Sequence, residues 1–425
     1  MSAKRNKKVH RTDIHQVGFW YKTLRPFVDF ATAVSFRRIQ VLGLENIPDD
    51  GAVIFAPNHC NTLMDALVVL RTSRGPTVFG ARADMFENPV AAKALHFLKI
   101  VPIVRKRDGI RKVIRNLDII DDIVEVLDEN VPFCIFPEGT HRPMHSLLPV
   151  GKGVFRIAVT ANERLGKPVY VVPVGIEYGD YYRYASTSLV QFGKPIAVTE
   201  YKNLNPETQD AEMYRNLTST LRERMADLIT YIPDDEDYEA KWAYTKVMTA
   251  GRKSTVLAER LRKNKEIIDS IIQKKLPLAL EFEHERREAG ISIHSFGYEG
   301  QFMRTVLKTI GLILWAPFQI CFGVVALPTI AIGEFLVANK VKDKAFGNSI
   351  RMASTLLVNG LWIIIWALVF IFTRFDFKCG VLALLVMTTA PLCFYQGLEW
   401  YRVWISDLRL LKRKDLVDKF ENIRK

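Results

Sequence analysis

Cysteine is scarce. There are five in 425 residues, Cys60, Cys134, Cys321, Cys379 and Cys393, and none has metal-ligand or redox spacing. Three of them lie in very apolar segments, where cysteine behaves as a small hydrophobe. The chain also lacks internal repeats and low-complexity tracts. It carries no helix-turn-helix, zinc-finger or aromatic RNA-binding signature, so only its charge speaks for nucleic acid, and none is expected as a partner. Acid is short relative to base: 46 Asp and Glu against 59 Lys and Arg, a formal charge of +13 with pI near 9.4. That balance suits anionic partners such as acidic lipid surfaces or phosphorylated substrates. No apolar run follows directly on the basic residues Lys4, Arg5, Lys7, Lys8 and Arg11, so the start is not a secretory signal peptide. Residues 1–16 read as a basic disordered tail able to touch anionic headgroups.

What the chain does have is uneven. Residues 309–333, 352–373 and 379–398 contain no charged residue over 25, 22 and 20 positions. A span needs about 20 apolar residues, so each qualifies by length, and 301–405 reads as a membrane domain with two or three hydrophobic segments. Basic clusters at Lys340, Lys342, Lys344 and Arg351, and at Arg402, Arg409, Lys412, Arg413 and Lys414, belong on the cytoplasmic side by the positive-inside rule. Residues 374–378 then form a short loop outside, and 406–425 a basic cytoplasmic tail. Placing both clusters on one side makes 309–333, with Pro317 and Pro328, enter and leave on one face. A re-entrant first segment plus one hairpin is therefore preferred over three full spans. Near the start, 17–41 interleaves aromatics with Lys22, Arg25 and Asp29. It reads as an amphipathic helix in the membrane interface, or alternatively one packed on the core.

Between these lies an α/β pattern. Strands are expected near 52–57, 77–83, 101–104, 132–136, 169–176 and 189–193, and helices near 63–73, 89–98, 110–129 and 153–165. Such alternation predicts a mixed, mostly parallel sheet flanked by helices over 42–202. Residues 203–300 are polar and helix-favouring, a helical arm without evident chemistry.

Chemistry concentrates in Pro57-Asn58-His59-Cys60-Asn61-Thr62-Leu63-Met64-Asp65. The apolar run before it reads as a strand and the run after it as a helix. His59 thus sits at a strand's carboxyl end, where open α/β sheets bind ligands, and Asp65 about one helical turn later. A histidine held by a carboxylate is a general base whose tautomer the carboxylate fixes. A second stretch, Phe136-Pro137-Glu138-Gly139-Thr140-His141-Arg142, follows another apolar strand, and Gly151-Lys152-Gly153 opens a helix soon after.

Together these stretches resemble the glycerolipid acyltransferase superfamily, which carries a His-Asp motif and then Phe-Pro-Glu-Gly-Thr. Val101-Pro102-Ile103-Val104-Arg105-Lys106-Arg107-Asp108 and Val171-Val172-Pro173-Val174-Gly175-Ile176 resemble its second and fourth blocks, in family order. The resemblance implies a membrane-bound O-acyltransferase using acyl-CoA or acyl-carrier protein as co-substrate, without metal or cofactor. The active site is expected on the cytoplasmic face of a bacterial inner membrane or the endoplasmic reticulum. His59 would be the catalytic base and Asp65 its holder. Direct transfer would leave Cys60 without a nucleophilic role. Arg105 would bind the acceptor's phosphate, with Arg107, Arg142 and Lys152 in reserve. Glu138 would orient the acceptor, and backbone amides around Gly139 and Thr140 would meet the oxyanion.

Two departures stand out. Five residues, not four, separate His59 from Asp65, as in some eukaryotic-type glycerol-3-phosphate and dihydroxyacetone-phosphate acyltransferases. The arginine usually following Phe-Pro-Glu-Gly-Thr is displaced by one, to Arg142. The longer spacing favours glycerol 3-phosphate or dihydroxyacetone phosphate as acceptor, with 1-acylglycerol 3-phosphate, giving phosphatidic acid, as the alternative. A non-catalytic lipid-binding or remodelling protein of the same fold is the further alternative.

Overall fold

The computed structural model describes residues 13–73, 75–103, 115–204, 209–251, 256–373 and 375–425. The described chain opens on a short 3-10 turn, Asp13–His15, whose Ile14 is buried, so residues 13–16 of the expected disordered tail are ordered. Helix α1 (Phe19–Val34) follows and lies along α2: Arg71 donates to the Asp29 carbonyl, and Arg25 to the Leu70 carbonyl at 2.6 Å. Its Phe19, Trp20, Phe27 and Phe30 remain exposed. The helix expected over 17–41 stops early. Strand β1 (Phe36–Leu42) takes over and pairs parallel with β7 (Ser186–Phe192). Its Phe-Arg-Arg-Ile-Gln-Val-Leu is rich in aromatic and β-branched residues, which suit a pleated, half-buried edge better than a helix.

Strand β2 (Ala52–Pro57) is buried along its whole length and leads into α2 (Leu63–Thr72). Next come β3 (Val78–Arg82), α3 (Pro89–Phe97), β4 (Ile100–Ile103), α4 (Arg115–Asp128), β5 (Phe133–Cys134), α5 (Gly153–Leu165) and β6 (Val169–Tyr178). After β7 the chain adds β8 (Ile196–Ala197), α6 (Val198–Leu204) and α7 (Asp210–Asp227). The sheet order is β1-β7-β6-β2-β5-β3-β4, with β8 also on β6. From β6 to β4 the strands run parallel; β7 is antiparallel to β6. The two faces are covered separately. Ile54, Phe133 and Val171 pack with α4, α5 and α7, while Phe55, Val172 and Val190 pack with α1 and α2 and with Met352 from the carboxyl-terminal helices. Each such fully buried side chain contributes about 1.5–3 kcal/mol.

A second, helical core follows. It is built from α8 (Tyr238–Thr249), α9 (Leu257–Asp269), α10 (Leu276–Glu288) and the last helix, and it centres on Phe282, Phe296 and Phe420. The apolar helices are α11 (Gln301–Val325), α12 (Leu327–Lys340), α13 (Gly347–Ser354), α14 (Gly360–Phe372) and α15 (Phe377–Leu410). A π-helical turn, Thr355–Asn359, joins α13 to α14. Three of these segments are long and apolar enough to cross a membrane. The tail expected at 406–425 is helical. Residues 406–410 extend α15, and α16 (Lys414–Arg424) buries Leu416, Phe420 and Ile423, an i, i+4, i+7 stripe that needs a core.

Candidate active site

The carboxyl edge of the parallel strands carries the candidate residues. His59 follows β2 and Asp65 lies in the first turn of α2; the His59 Nδ1 to Asp65 Oδ2 distance is 2.7 Å. Asp65 is fully buried, yet four nitrogen and oxygen donors surround it, and the Cys60 thiol lies 3.8 Å from Oδ1. Oδ2 also accepts the amides of Cys60 (2.8 Å) and Asn61 (2.7 Å), and Oδ1 accepts the Tyr178 hydroxyl (2.8 Å). A carboxylate so supplied is an acceptor only. It therefore sets the Nδ1–H tautomer of His59 and leaves the Nε2 lone pair for a substrate proton. The His59 ring stacks on Phe136 with centroids 4.2 Å apart.

The five-residue spacing is accommodated by an unusual turn. Thr62 has φ 48° and ψ −124°, a positive φ that β-branched residues rarely adopt. Such strain persists where surroundings over-determine it. Here the Thr62 hydroxyl pairs with Ser349 at 3.0 Å, on one of the carboxyl-terminal helices.

Glu138 follows β5. Its two oxygens accept the amides of His59 and Leu148, each at 2.8 Å, clamping both loops. Burial raises its carboxyl above the usual range, against the pull of those amides. Gly139 turns with φ 67° and donates its amide to the Phe136 carbonyl; Gly139 and Thr140 are both exposed. Arg142 donates its amide to the His59 carbonyl at 3.0 Å, and its guanidinium pairs with Asp234. Lys152 is exposed at the start of α5. Arg105 and Arg107 lie outside the described residues. The structure thus brings His59, Asp65, Glu138 and the Arg142 backbone together and leaves Lys152 on the rim of α5.

Cys60 is buried, and burial followed by the Asp65 charge pushes its thiol well above the usual range. It is therefore no thiolate nucleophile at neutral pH.

Further neighbours come from in or beside the motif stretches and, in the case of Tyr178, from far along the chain. Tyr178 comes from the end of β6, 113 positions from Asp65. Asn58 ties the loop to the same strand, donating to the Ile176 carbonyl (3.1 Å) and accepting the Ile176 amide (2.7 Å). His141 stands edge-on to His59, with ring centroids at 5.6 Å, and its Nε2 reaches Asp343 at 2.7 Å, in the loop after α12. His145 instead packs against Trp242 in a tilted arrangement, with centroids 4.0 Å apart.

Residues 38–177 match the Acyltransferase family model. The chain is 27% identical over 147 residues to the human 1-acyl-sn-glycerol-3-phosphate acyltransferase alpha, covering 34% of this chain and 48% of that protein. It is equally similar to the Bos taurus protein of that name, over 34% of this chain and 47% of the relative. The chain thus spans about half the length of the curated relatives it matches. Among solved structures, it is similar at 22% identity and TM-score 0.33 to the 1-acyl-sn-glycerophosphate acyltransferase PlsC of Thermotoga maritima, covering 48% of this chain and 78% of that one.

Proposed function

We propose that the chain, whose residues 38–177 match the Acyltransferase family model, moves a fatty acyl group from a thioester donor to the hydroxyl of a phosphorylated glycerol acceptor at a membrane. The observation that carries this reading is the His59–Asp65 pair, with a buried, four-donor carboxylate behind the imidazole. An alcohol is a poor nucleophile at neutral pH, so a positioned base must take its proton as the bond forms. His59 Nε2 takes that proton while the hydroxyl oxygen bonds to the thioester carbonyl carbon. The tetrahedral oxyanion collapses, the carbon–sulfur bond breaks, and the imidazolium returns the proton to the leaving thiolate. Asp65 stabilises the imidazolium throughout. With the Gly139 amide turned to Phe136, the Thr140 amide is the better oxyanion donor of the two.

The His-Asp spacing favours glycerol 3-phosphate, whereas the relatives are named for 1-acyl-sn-glycerol 3-phosphate, which we propose as the acceptor. Arg105 remains the proposed phosphate ligand, because the Arg142 guanidinium is engaged by Asp234. The test is acyl transfer by the purified full chain in detergent, with each acceptor against acyl-CoA and acyl-carrier protein. Phosphatidic acid should form fastest from the acylated acceptor. Faster acylation of glycerol 3-phosphate would restore the spacing argument, and no transfer with any pair would support a non-catalytic lipid-binding role.

A further inference from the structure

Helix α11 has the length and hydropathy of a membrane span, but its contacts point elsewhere. It runs antiparallel to α15. Lys308 pairs with Asp407, the Trp404 indole donates to Thr309 at 2.8 Å, and Gln319 donates to the Phe394 carbonyl at 3.0 Å. Its start therefore lies beside the carboxyl end of α15, and the same half of α15 is fixed to the catalytic domain, where Gln396 donates to the Ala185 carbonyl and Arg183 pairs with Glu399.

The helix breaks at Ala326, which has φ −88° and ψ 0°. Pro328, in the first turn of α12, lacks an amide and would clash with the preceding turn of a continuous helix. Helix α12 then climbs back. Thr329 donates to Asn359 (3.4 Å), whose amide donates to the Met387 carbonyl (3.1 Å). Glu334 makes a two-pronged pair with Arg351 at 2.8 and 2.9 Å and accepts the Tyr395 hydroxyl at 2.7 Å. The next loop brings Asp343 to His141, beside His59.

Depth follows from the helical rise. The turn at Ala326 is level with Asn359 and Met387. The α14–α15 hairpin continues from there to its tip at Phe372 and Phe377, another 13 and 10 residues, or about 20 and 15 Å. A hydrocarbon core is about 30 Å thick, so the turn stops near its middle. Around it Phe318, Ile320, Val324, Leu327 and Ile332 are exposed, in continuity with the bare apolar faces of α14 and α15.

We propose that α11 and α12 form a re-entrant V, which enters the bilayer from the His59 side and turns back among the acyl chains near mid-depth. The α14–α15 hairpin alone crosses. The occupant of the exposed V is lipid hydrocarbon, and both basic clusters face the same headgroup layer as the active site. This inference is independent of the acyl-transfer reading.

The test is sidedness. Single cysteines at Glu299, Lys340 and Lys378, in a full chain otherwise free of cysteine, are probed with a membrane-impermeant maleimide before and after permeabilisation. Glu299→Cys and Lys340→Cys should label from one side and Lys378→Cys from the other. A spin label at Leu327→Cys should be reached by oxygen and not by a water-soluble nickel chelate. Glu299 and Lys340 on opposite sides, or a chelate-accessible Leu327, would establish a full span and overturn the proposal. Terminal epitope tags on the native-cysteine chain give the same parity: tags on one side support the V, and tags on opposite sides refute it.

Discussion

Asp65→Asn isolates the charge behind His59. Three donors converge on Oδ2, so the asparagine carbonyl must occupy that position to avoid turning its amide hydrogens onto them. The amide group then faces the Tyr178 hydroxyl, which is able to accept. The fold and the Nδ1–H tautomer are retained, and the negative charge is lost. Unit charges about 4 Å apart interact by about 4 kcal/mol at an effective dielectric of 20, which bounds the loss of imidazolium stabilisation. At 1.36 kcal/mol per tenfold, kcat should fall by about a hundred- to a thousandfold, with an unchanged acceptor KM. Continuous detection of the released thiol reads this, alongside a thermal melt to show folding. A folded Asn variant with turnover within about tenfold of the parent would refute the dyad reasoning.

Further outcomes follow from neighbouring contacts. Tyr178→Phe removes a hydrogen bond to a buried carboxylate worth about 1.5–3 kcal/mol, so the melting temperature should drop and kcat fall modestly; unchanged values would mean that Tyr178 does not support Asp65. Glu138→Gln presents an amide hydrogen to one of two backbone donors and should cost about 1–3 kcal/mol of stability while leaving the shape of the pH–rate profile intact; an altered profile would assign Glu138 a proton-transfer role. In the helical core, burial alone would raise the Glu283 carboxyl, but Arg286 and Lys246 outweigh it and hold it at about 2. A lowered carboxylate stabilises above its unfolded value and loses that contribution as pH falls. Trp242 fluorescence melts should therefore weaken between about pH 4.5 and 2 in the parent and less steeply in Glu283→Gln; equal slopes would refute the linkage.

The dyad was legible because its parts are local: a buried strand, a turn and a helix within fourteen residues, Ala52 to Asp65. The sheet's parallel centre was legible for the same reason, in apolar runs separated by helical periods. Long-range partners were not. Tyr178 meets the site only through the pairing of β2 with β6, and Asp343 through the return of α12. Strand β1 is not legible in the sequence because the aromatics of α1 run into it without a glycine or proline; only its pairing with β7 separates the two. The terminal helix was hidden by its charges, since Leu416, Phe420 and Ile423 form a stripe too narrow to announce a core. Length and hydropathy make α11 a candidate span, whereas its hydrogen bonds with α15 fix where it turns.

The central claim is direct acyl transfer with His59 as base. The purified full chain, given radiolabelled acyl-CoA, should release thiol only when acceptor is present and in equal amount to the lipid ester formed, and no label should stay on the protein when acceptor is withheld. His59→Ala, folded and membrane-bound, should lose about a hundred- to ten-thousandfold in rate. Near-parent turnover in that variant, or a stable acyl-protein without acceptor, would contradict the account.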